Sequence, residues 1–198
     1  MRRLGPKHHI CRRLGQKLCN TEKCPVTRRS YPSGQHGQKG RRKITEFGQQ
    51  LLEKQKAKHI YGLMERQFRR YYVSAKKKLG ATDVLLLQVL ERRLDNAVFR
   101  AGLAPTRPAA RQLVSHGNVK LNGRKVTIPS IQLKVGDTIT LNEKMLAKGK
   151  EATKKRTDIP SWLSRDAEFN AKVVDLPKPE DVPQNINAKL IVESYSRS

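Results

Sequence analysis

Four side chains near the start of the chain carry soft or borderline donor atoms at short spacing. They are His8, Cys11, Cys19 and Cys24, in the pattern His-x2-Cys-x7-Cys-x4-Cys. Imidazole and thiolate donors held within 17 residues, with no apolar core nearby, suit a tetrahedral structural zinc. The same donors suit an iron–sulfur cluster, His9 competes with His8, and three plain thiols without metal are the alternative. Cys11 with His8 or His9 could form a nucleophile–base pair, but no pocket framework surrounds them.

A second constellation lies in the run His116-Gly117-Asn118-Val119-Lys120-Leu121-Asn122-Gly123-Arg124-Lys125-Val126. Asn122-Gly123 is a strong hairpin signal, because both central residues of a type I′ turn need positive φ. Closing that turn sets Val119 opposite Val126 and Lys120 opposite Lys125. Like charges facing each other across a ladder destabilise it. The arrangement makes sense if a polyanion lies over them, and the segment reads as an RNA clamp.

The whole chain supports that reading. It has 42 Lys+Arg against 17 Asp+Glu, a net charge of +25 on 198 residues, and a pI near 10.5. Such an excess favours a phosphate backbone, with counterion release contributing to binding. The first 45 residues hold 13 basic side chains and one acidic, whereas residues 158–198 are slightly acidic. The RNA face is therefore expected from the first three quarters of the chain, with the C-terminal segment as scaffold or protein-contact surface. Apolar residues make up 36%, enough for one or two small cores. The longest aliphatic run, Val84 to Leu87, is too short to span a bilayer. No secretory core follows Met1, so a cytosolic, reducing setting is expected, and thiol or metal chemistry before disulfides.

The elements that must position these residues can be read from periodicity. Residues 1–45 lack a sustained period and need a staple or RNA to order them. Helices are expected from Thr45 to Gly62 and from Leu63 to Lys78, the second with Met64, Phe68 and Ala75 at helical spacing. Val84, Leu87, Leu90, Leu94 and Val98 continue as one broad apolar stripe. A basic helix follows from Arg107 to His116, with Pro108 in its first turn and Gly117 as its stop. The hairpin comes next, then a third strand from Thr138 to Asn142. Lys144 to Arg156 reads as a basic connector. Ile159-Pro160-Ser161-Trp162-Leu163 reads as a docking turn and Leu190 to Tyr195 as a last strand, both folding back onto the helices of residues 46–91.

Taken in order, several runs resemble one family. They include Leu4-Gly5-Pro6, Cys11-Arg12-Arg13, Tyr31-Pro32-Ser33-Gly34-Gln35-His36-Gly37 and Glu53-Lys54-Gln55-Lys56. Ile60 to Arg69, Arg93-Leu94-Asp95-Asn96, Ala110 to Gly117 and the end Leu190-Ile191-Val192-Glu193-Ser194-Tyr195-Ser196-Arg197 complete the set. Their order and spacing are similar to those of the small-subunit ribosomal protein family known as S-four.

The resemblance implies an α+β fold. A mostly helical domain, residues 46–92 plus 154–198, carries an inserted α/β RNA-binding module over 93–153, with two helices on a short, mainly antiparallel sheet. A basic, metal-stapled arm, residues 1–45, precedes them. It also implies a structural constituent of the small ribosomal subunit, with no catalytic role and no small-molecule substrate. Such a protein is a primary binder of a multi-helix junction in the 5′ domain of small-subunit RNA and nucleates assembly of the subunit body. Its implied partners are a neighbouring ribosomal protein, of the family named S-five, at an interface linked to decoding accuracy, and messenger RNA beside the channel by which it enters. The location would be the small subunit of a cytoplasmic ribosome, with an organellar ribosome as the alternative. Carried over motif by motif, the RNA-contact candidates are Arg12, Arg13, Gln35, His36, Arg41, Arg42, Lys54, Lys56, Arg69, Arg70, Arg107, Arg111, His116, Lys120, Arg124 and Lys125. Most are expected on phosphate and ribose. Some members of the family carry four cysteines where this chain has His8, Cys11, Cys19 and Cys24.

Overall fold

A computed structural model describes residues 6–19, 23–39, 44–145, 159–166, 170–182 and 186–196. The chain divides into two compact units, residues 1–70 with 186–198, and residues 71–185. Most of the connector expected over Lys144–Arg156 lies outside the described residues.

In the first unit, α1 (Lys7–Leu14) precedes α2 (Glu46–Ile60), α3 (Glu65–Lys76) begins, and α7 (Ala188–Ser196) closes the chain. Thr45 starts α2: its hydroxyl accepts from the Gly48 N–H at 3.2 Å, a cap worth about 1 kcal/mol. The α2 face that buries Gln50 and Ala57 packs against α7, where Gln50 donates to Glu193 Oε2 at 3.1 Å.

The expected last strand is a helix. A three-residue apolar run does not separate strand from helix, and the spacing of the small residues around it decides. Ala188, Ile191 and Ser194 are buried at intervals of three, which a strand would scatter over both faces. Tyr195 then stacks on Phe68 with ring centroids 6.1 Å apart, and its hydroxyl donates to Glu65 Oε1 at 2.5 Å. Lys54 Nζ lies 4.8 Å from the Tyr195 ring centre. Lys58 pairs with Glu65 from α2, so Glu65 joins three elements of this unit.

In the second unit, α4 (Thr82–Glu91), α5 (Leu94–Arg100) and α6 (Arg107–Ser115) accompany one sheet. Its strands are β1 (Val119–Leu121), β2 (Arg124–Val126), β3 (Thr138–Leu141), β4 (Leu163–Arg165) and β5 (Ala171–Val173). All are antiparallel, in the order β2-β1-β3-β5-β4. Val119, Ile139, Leu141, Leu163, Ala171 and Val173 face a core filled by Leu94, Val98, Phe99, Leu103, Ala110 and Val114.

Two expectations change here. The stripe from Val84 to Val98 is two helices, broken at Arg92-Arg93. The segment 129–133 causes the break: Leu94 and Asp95 N–H groups donate to the Ile131 and Pro129 carbonyls, and Leu133 N–H donates to the Arg92 carbonyl. Those contacts satisfy the orphan donors of a new helix N-terminus. The second change concerns residues 159–173. Trp162 is fully buried in the sheet core, and β4 and β5 continue the sheet beyond β3. The sheet therefore extends past the 93–153 boundary drawn from the sequence, because Ala171 and Val173 alternate inward with Lys172 outward. That two-residue period was too short to stand out.

Glu65 gives the first unit an acid-sensitive joint. Burial raises its pKa, but hydrogen bonds from Lys58 and Tyr195 and the charges of Lys58 and Lys54 outweigh this and hold it below the usual value of 4.5. A depressed carboxyl stabilises the fold above its unfolded pKa, and that contribution disappears as pH falls through the folded value. Glu65→Gln should thus lower the Tm at pH 7, by a difference that shrinks as pH falls below the usual carboxylate value of 4.5. Thermal unfolding across that range checks the loss of the pH-dependent difference.

Candidate nucleic-acid interface

The hairpin forms in the register read from its residues. Val119 pairs with Val126 and Lys120 with Lys125, and the turn holds Asn122 at φ 50° and Gly123 at φ 79°. Asn122 is fixed further: its amide donates to Asp137 Oδ1 at 2.9 Å, and its Oδ1 accepts from the Thr138 N–H at 2.8 Å. Lys120, Arg124 and Lys125 are exposed. The Lys125 stem crosses Gly117, where a Cβ would sit 2.3 Å from Lys125 Cε. Gly117 at φ 69° thus ends α6 and leaves room for this lysine.

Helix α6 supplies the other cations of this unit. The Thr106 hydroxyl accepts from Ala109 N–H at 3.2 Å and starts the helix, with Pro108 in its first turn. Arg107 donates from Nε to Asn96 Oδ1 at 2.8 Å, and its guanidinium lies 4.5 Å from the Phe99 ring centre. Arg111 Nη1 is 3.8 Å from Asp95 Oδ2. His116 is exposed at the helix end. The second unit therefore brings Arg107, Arg111, His116, Lys120, Arg124 and Lys125 onto α6 and the adjoining hairpin.

The first unit separates its candidates. Arg13, Gln35, His36, Arg69 and Arg70 are exposed, and Arg41 and Arg42 lie outside the described residues. Three of the candidates make intramolecular contacts instead. Arg12 donates to the Tyr31 and Pro32 carbonyls at 3.0 and 3.1 Å and stacks on the Tyr31 ring, so it fastens α1 to the YPSGQHG loop. That loop needs Gly37, whose Cβ would fall 2.0 Å from the Pro32 oxygen. Lys54 is taken up by Tyr195 and by Glu65 at 3.6 Å. Lys56 is buried and pairs with Glu53 at 3.1 Å. A run of alternating lysines on a helix reads as a basic face, but this one turns all three members, Lys54, Lys56 and Lys58, towards carboxylates.

The sulfur and imidazole groups do converge. Ligand atoms of His8, Cys19 and Cys24 lie within 4.8 Å of one another, and Cys19 Sγ is 3.7 Å from His8 Nδ1. Two donors on a tetrahedral zinc, at its ordinary N and S bond lengths, stand about 3.6 Å apart. All three cysteines are free thiols. Cys11 lies outside that trio but in the same buried cluster as Cys24. Burial pushes its thiol up, while backbone N–H groups of Leu18 and Cys19 donate toward its sulfur. His9 is exposed and stands outside the set. These donors fit a structural metal.

Comparison with known proteins decides the family. Residues 2–91 match the model for the ribosomal protein S4/S9 N-terminal domain, and residues 92–139 match the S4 domain. A small ribosomal subunit protein uS4 of Dictyoglomus turgidum is 49% identical over 202 residues. Those of Thermoanaerobacter sp. and Caldicellulosiruptor bescii are 49% and 50% identical over 205 and 206 residues. In each case 98% of both chains is covered. This chain belongs to the uS4 family of small ribosomal subunit proteins. It is a structural, RNA-binding component of the translation machinery and not an enzyme. No helix among the described residues is long and apolar enough to cross a membrane.

Asp95 and Asn96 were not among the residues expected at the site. Their signal in the sequence is that two polar side chains interrupt an apolar run; the structure shows both buried.

The separation of structural from exposed cations has a direct check. Lys56→Ala should lower the Tm by about 2–4 °C, the shift expected for roughly 1 kcal/mol in a chain of this size, with RNA affinity unchanged. Arg124→Ala should do the reverse, weakening RNA binding with little effect on Tm. Parallel melting and filter-binding measurements separate the two.

Proposed function

We propose that the surface formed by α6 and the β1–β2 hairpin is the principal ribosomal RNA contact of this uS4 protein. The observation that carries the reading is the register that sets exposed Lys120 against Lys125. A like-charge pair opposes folding and is relieved when phosphate oxygens approach. The contacts bind phosphate and ribose and fix the register of the protein on its RNA, whose shape supplies the specificity. Arg13, Gln35, His36, Arg69 and Arg70, exposed on the first unit, provide further contacts. The RNA is the multi-helix junction of the 5′ domain, and binding there nucleates assembly of the subunit body. A neighbouring protein of the S-five family, a contribution to decoding accuracy and proximity to incoming messenger follow from the family likeness.

The N-terminal arm is stapled by one zinc, held by His8, Cys19 and Cys24 with Cys11 as the fourth donor. Bound there, the metal supplies a structural cross-link. The arm presents Arg13 from α1, and Arg12 ties that helix to the loop bearing Gln35 and His36.

Changing Lys120 and Lys125 together to Ala should weaken binding to the 5′-domain RNA and flatten the dependence of log K on log salt by roughly two. Unchanged affinity and slope would mean that the hairpin is not on phosphate. For the staple, elemental analysis of protein isolated without chelator should find about one zinc per chain. Cys19→Ser with Cys24→Ser should abolish it and expose residues 6–39 to protease. Iron with sulfide would change the cofactor, and a metal-free arm would remove the staple altogether.

A further inference from the structure

We propose that Asn96 is a positioning residue that presets Arg107 for RNA, an inference that rests on the reading of Arg107 as an RNA contact. Asn96 is 2% exposed and cannot reach a ligand itself. Its amide nitrogen donates to the Glu91 backbone carbonyl at 3.0 Å and to Glu91 Oε2 at 2.8 Å. Turning the amide over would place its oxygen against that carboxylate, so the orientation is dictated by Glu91. With the nitrogen fixed, Oδ1 is left to accept the Arg107 Nε–H at 2.8 Å. The Phe99 ring then supports the guanidinium from α5. One side of the Arg107 fork is thus held before any RNA arrives, and the rotamer freedom of a long side chain is already given up in the folded protein.

Charge explains why an amide serves better than a carboxylate here. Glu91 is itself engaged by Arg100, Nε to Oε2 at 3.0 Å and Nη2 to Oε1 at 3.2 Å. Asp95, one residue earlier, chelates the buried Arg93 through both oxygens, at 3.0 and 2.6 Å, and lies 3.8 Å from Arg111. Among these side chains two carboxylates stand against four guanidiniums, so the cluster keeps a positive excess. Asn96 orients Arg107 without subtracting from it. An aspartate at this position would bring a second carboxylate against Glu91 and reduce the excess. The role also fits the run Arg93-Leu94-Asp95-Asn96: Leu94 fills the core, Asp95 holds Arg93 and Asn96 holds Arg107.

The first test needs no variant. In full-length, RNA-free protein, arginine Nε–H resonances report exchange with solvent. The Arg107 signal should exchange at least ten times more slowly than that of Arg124, and equal rates would overturn the proposal. The second test is a double-mutant cycle on binding to a 5′-domain transcript, with Asn96→Ala, Arg107→Ala and the pair. Each single change should weaken binding about ten-fold, and the pair should be no weaker than Arg107→Ala alone. Losses that multiply would show that Asn96 acts by some route other than Arg107 and sink the positioning role, leaving the Arg107 contact standing. Full affinity in Arg107→Ala would remove the contact itself and the proposal with it. Asn96→Asp, still polar, should not restore binding to Asn96→Ala.

Discussion

Burial of two carboxylates beside the break between α4 and α5 is the constraint on which the RNA-binding unit depends. Glu91 is fully buried and Asp95 nearly so, in a chain that has only 17 acidic side chains for 42 basic ones. A buried charge without a partner costs several kcal/mol, and removing one member of such a pair is strongly destabilising. Here each carboxylate meets guanidinium groups in multiple hydrogen bonds. Burial works against the charge of Arg93, but attraction to Asp95 more than offsets it, so this guanidinium binds its proton more tightly than usual. The same arginine also donates to the Tyr71 hydroxyl, and Arg100 donates to the Asp181 carbonyl at 2.8 Å. Through these few groups α3, α4, α5 and the 179–181 turn of the second unit share one electrostatic knot.

That knot separates two uses of arginine that a charge count merges. Arg93 and Arg100 neutralise buried acids, whereas Arg107 and Arg111 lean on the same cluster from a half-buried position with excess charge remaining. The lysines of α2 all fall in the first class: Lys54 and Lys58 spend their charge on Glu65, and Lys56 on Glu53. Net charge therefore measures the tendency to meet RNA, and only burial and pairing say which cations can do so.

How much could be read beforehand follows from which signals are local. The hairpin was legible because Asn122-Gly123 dictates its own turn and the two-residue period then fixes every partner. Helix α6 was legible from Pro108 in its first turn and Gly117 at its stop. The break at Arg92-Arg93 was not, because it is imposed by carbonyls of residues 129 and 131, more than thirty positions away. The terminal helix was misread as a strand because Leu190-Ile191-Val192 favours a strand locally, and its helical face appears only when Ala188, Ile191 and Ser194 are matched to α2 and α3. Strands β4 and β5 were missed for a related reason: three-residue strands leave too short a pattern, and Trp162 looked like an anchor for another surface. The convergence of His8, Cys19 and Cys24 follows the short spacing of soft donors in the arm, whereas the place of His8 and not His9 in that trio depends on the direction of α1.

The two units order their cations by different physics. In the second, apolar packing and buried ion pairs build the platform first, and the exposed charges ride on strands and helices whose dihedrals are already fixed. In the arm, the described buried cluster is small, with Cys11, Cys24 and Val26 at its centre. Apolar burial on that scale, at about 25 cal/mol per Å2, cannot offset roughly 1–2 kcal/mol of backbone entropy for each residue ordered. Two further sources of order, a metal and RNA, would act on different atoms. A metal would draw on the thiols and His8, while RNA would draw on Arg13, Gln35 and His36. Because Arg12 links α1 to the Tyr31 and Pro32 carbonyls, either source orders the residues used by the other. Metal and RNA should therefore reinforce each other's binding, since whichever arrives second meets an arm whose entropy has already been reduced.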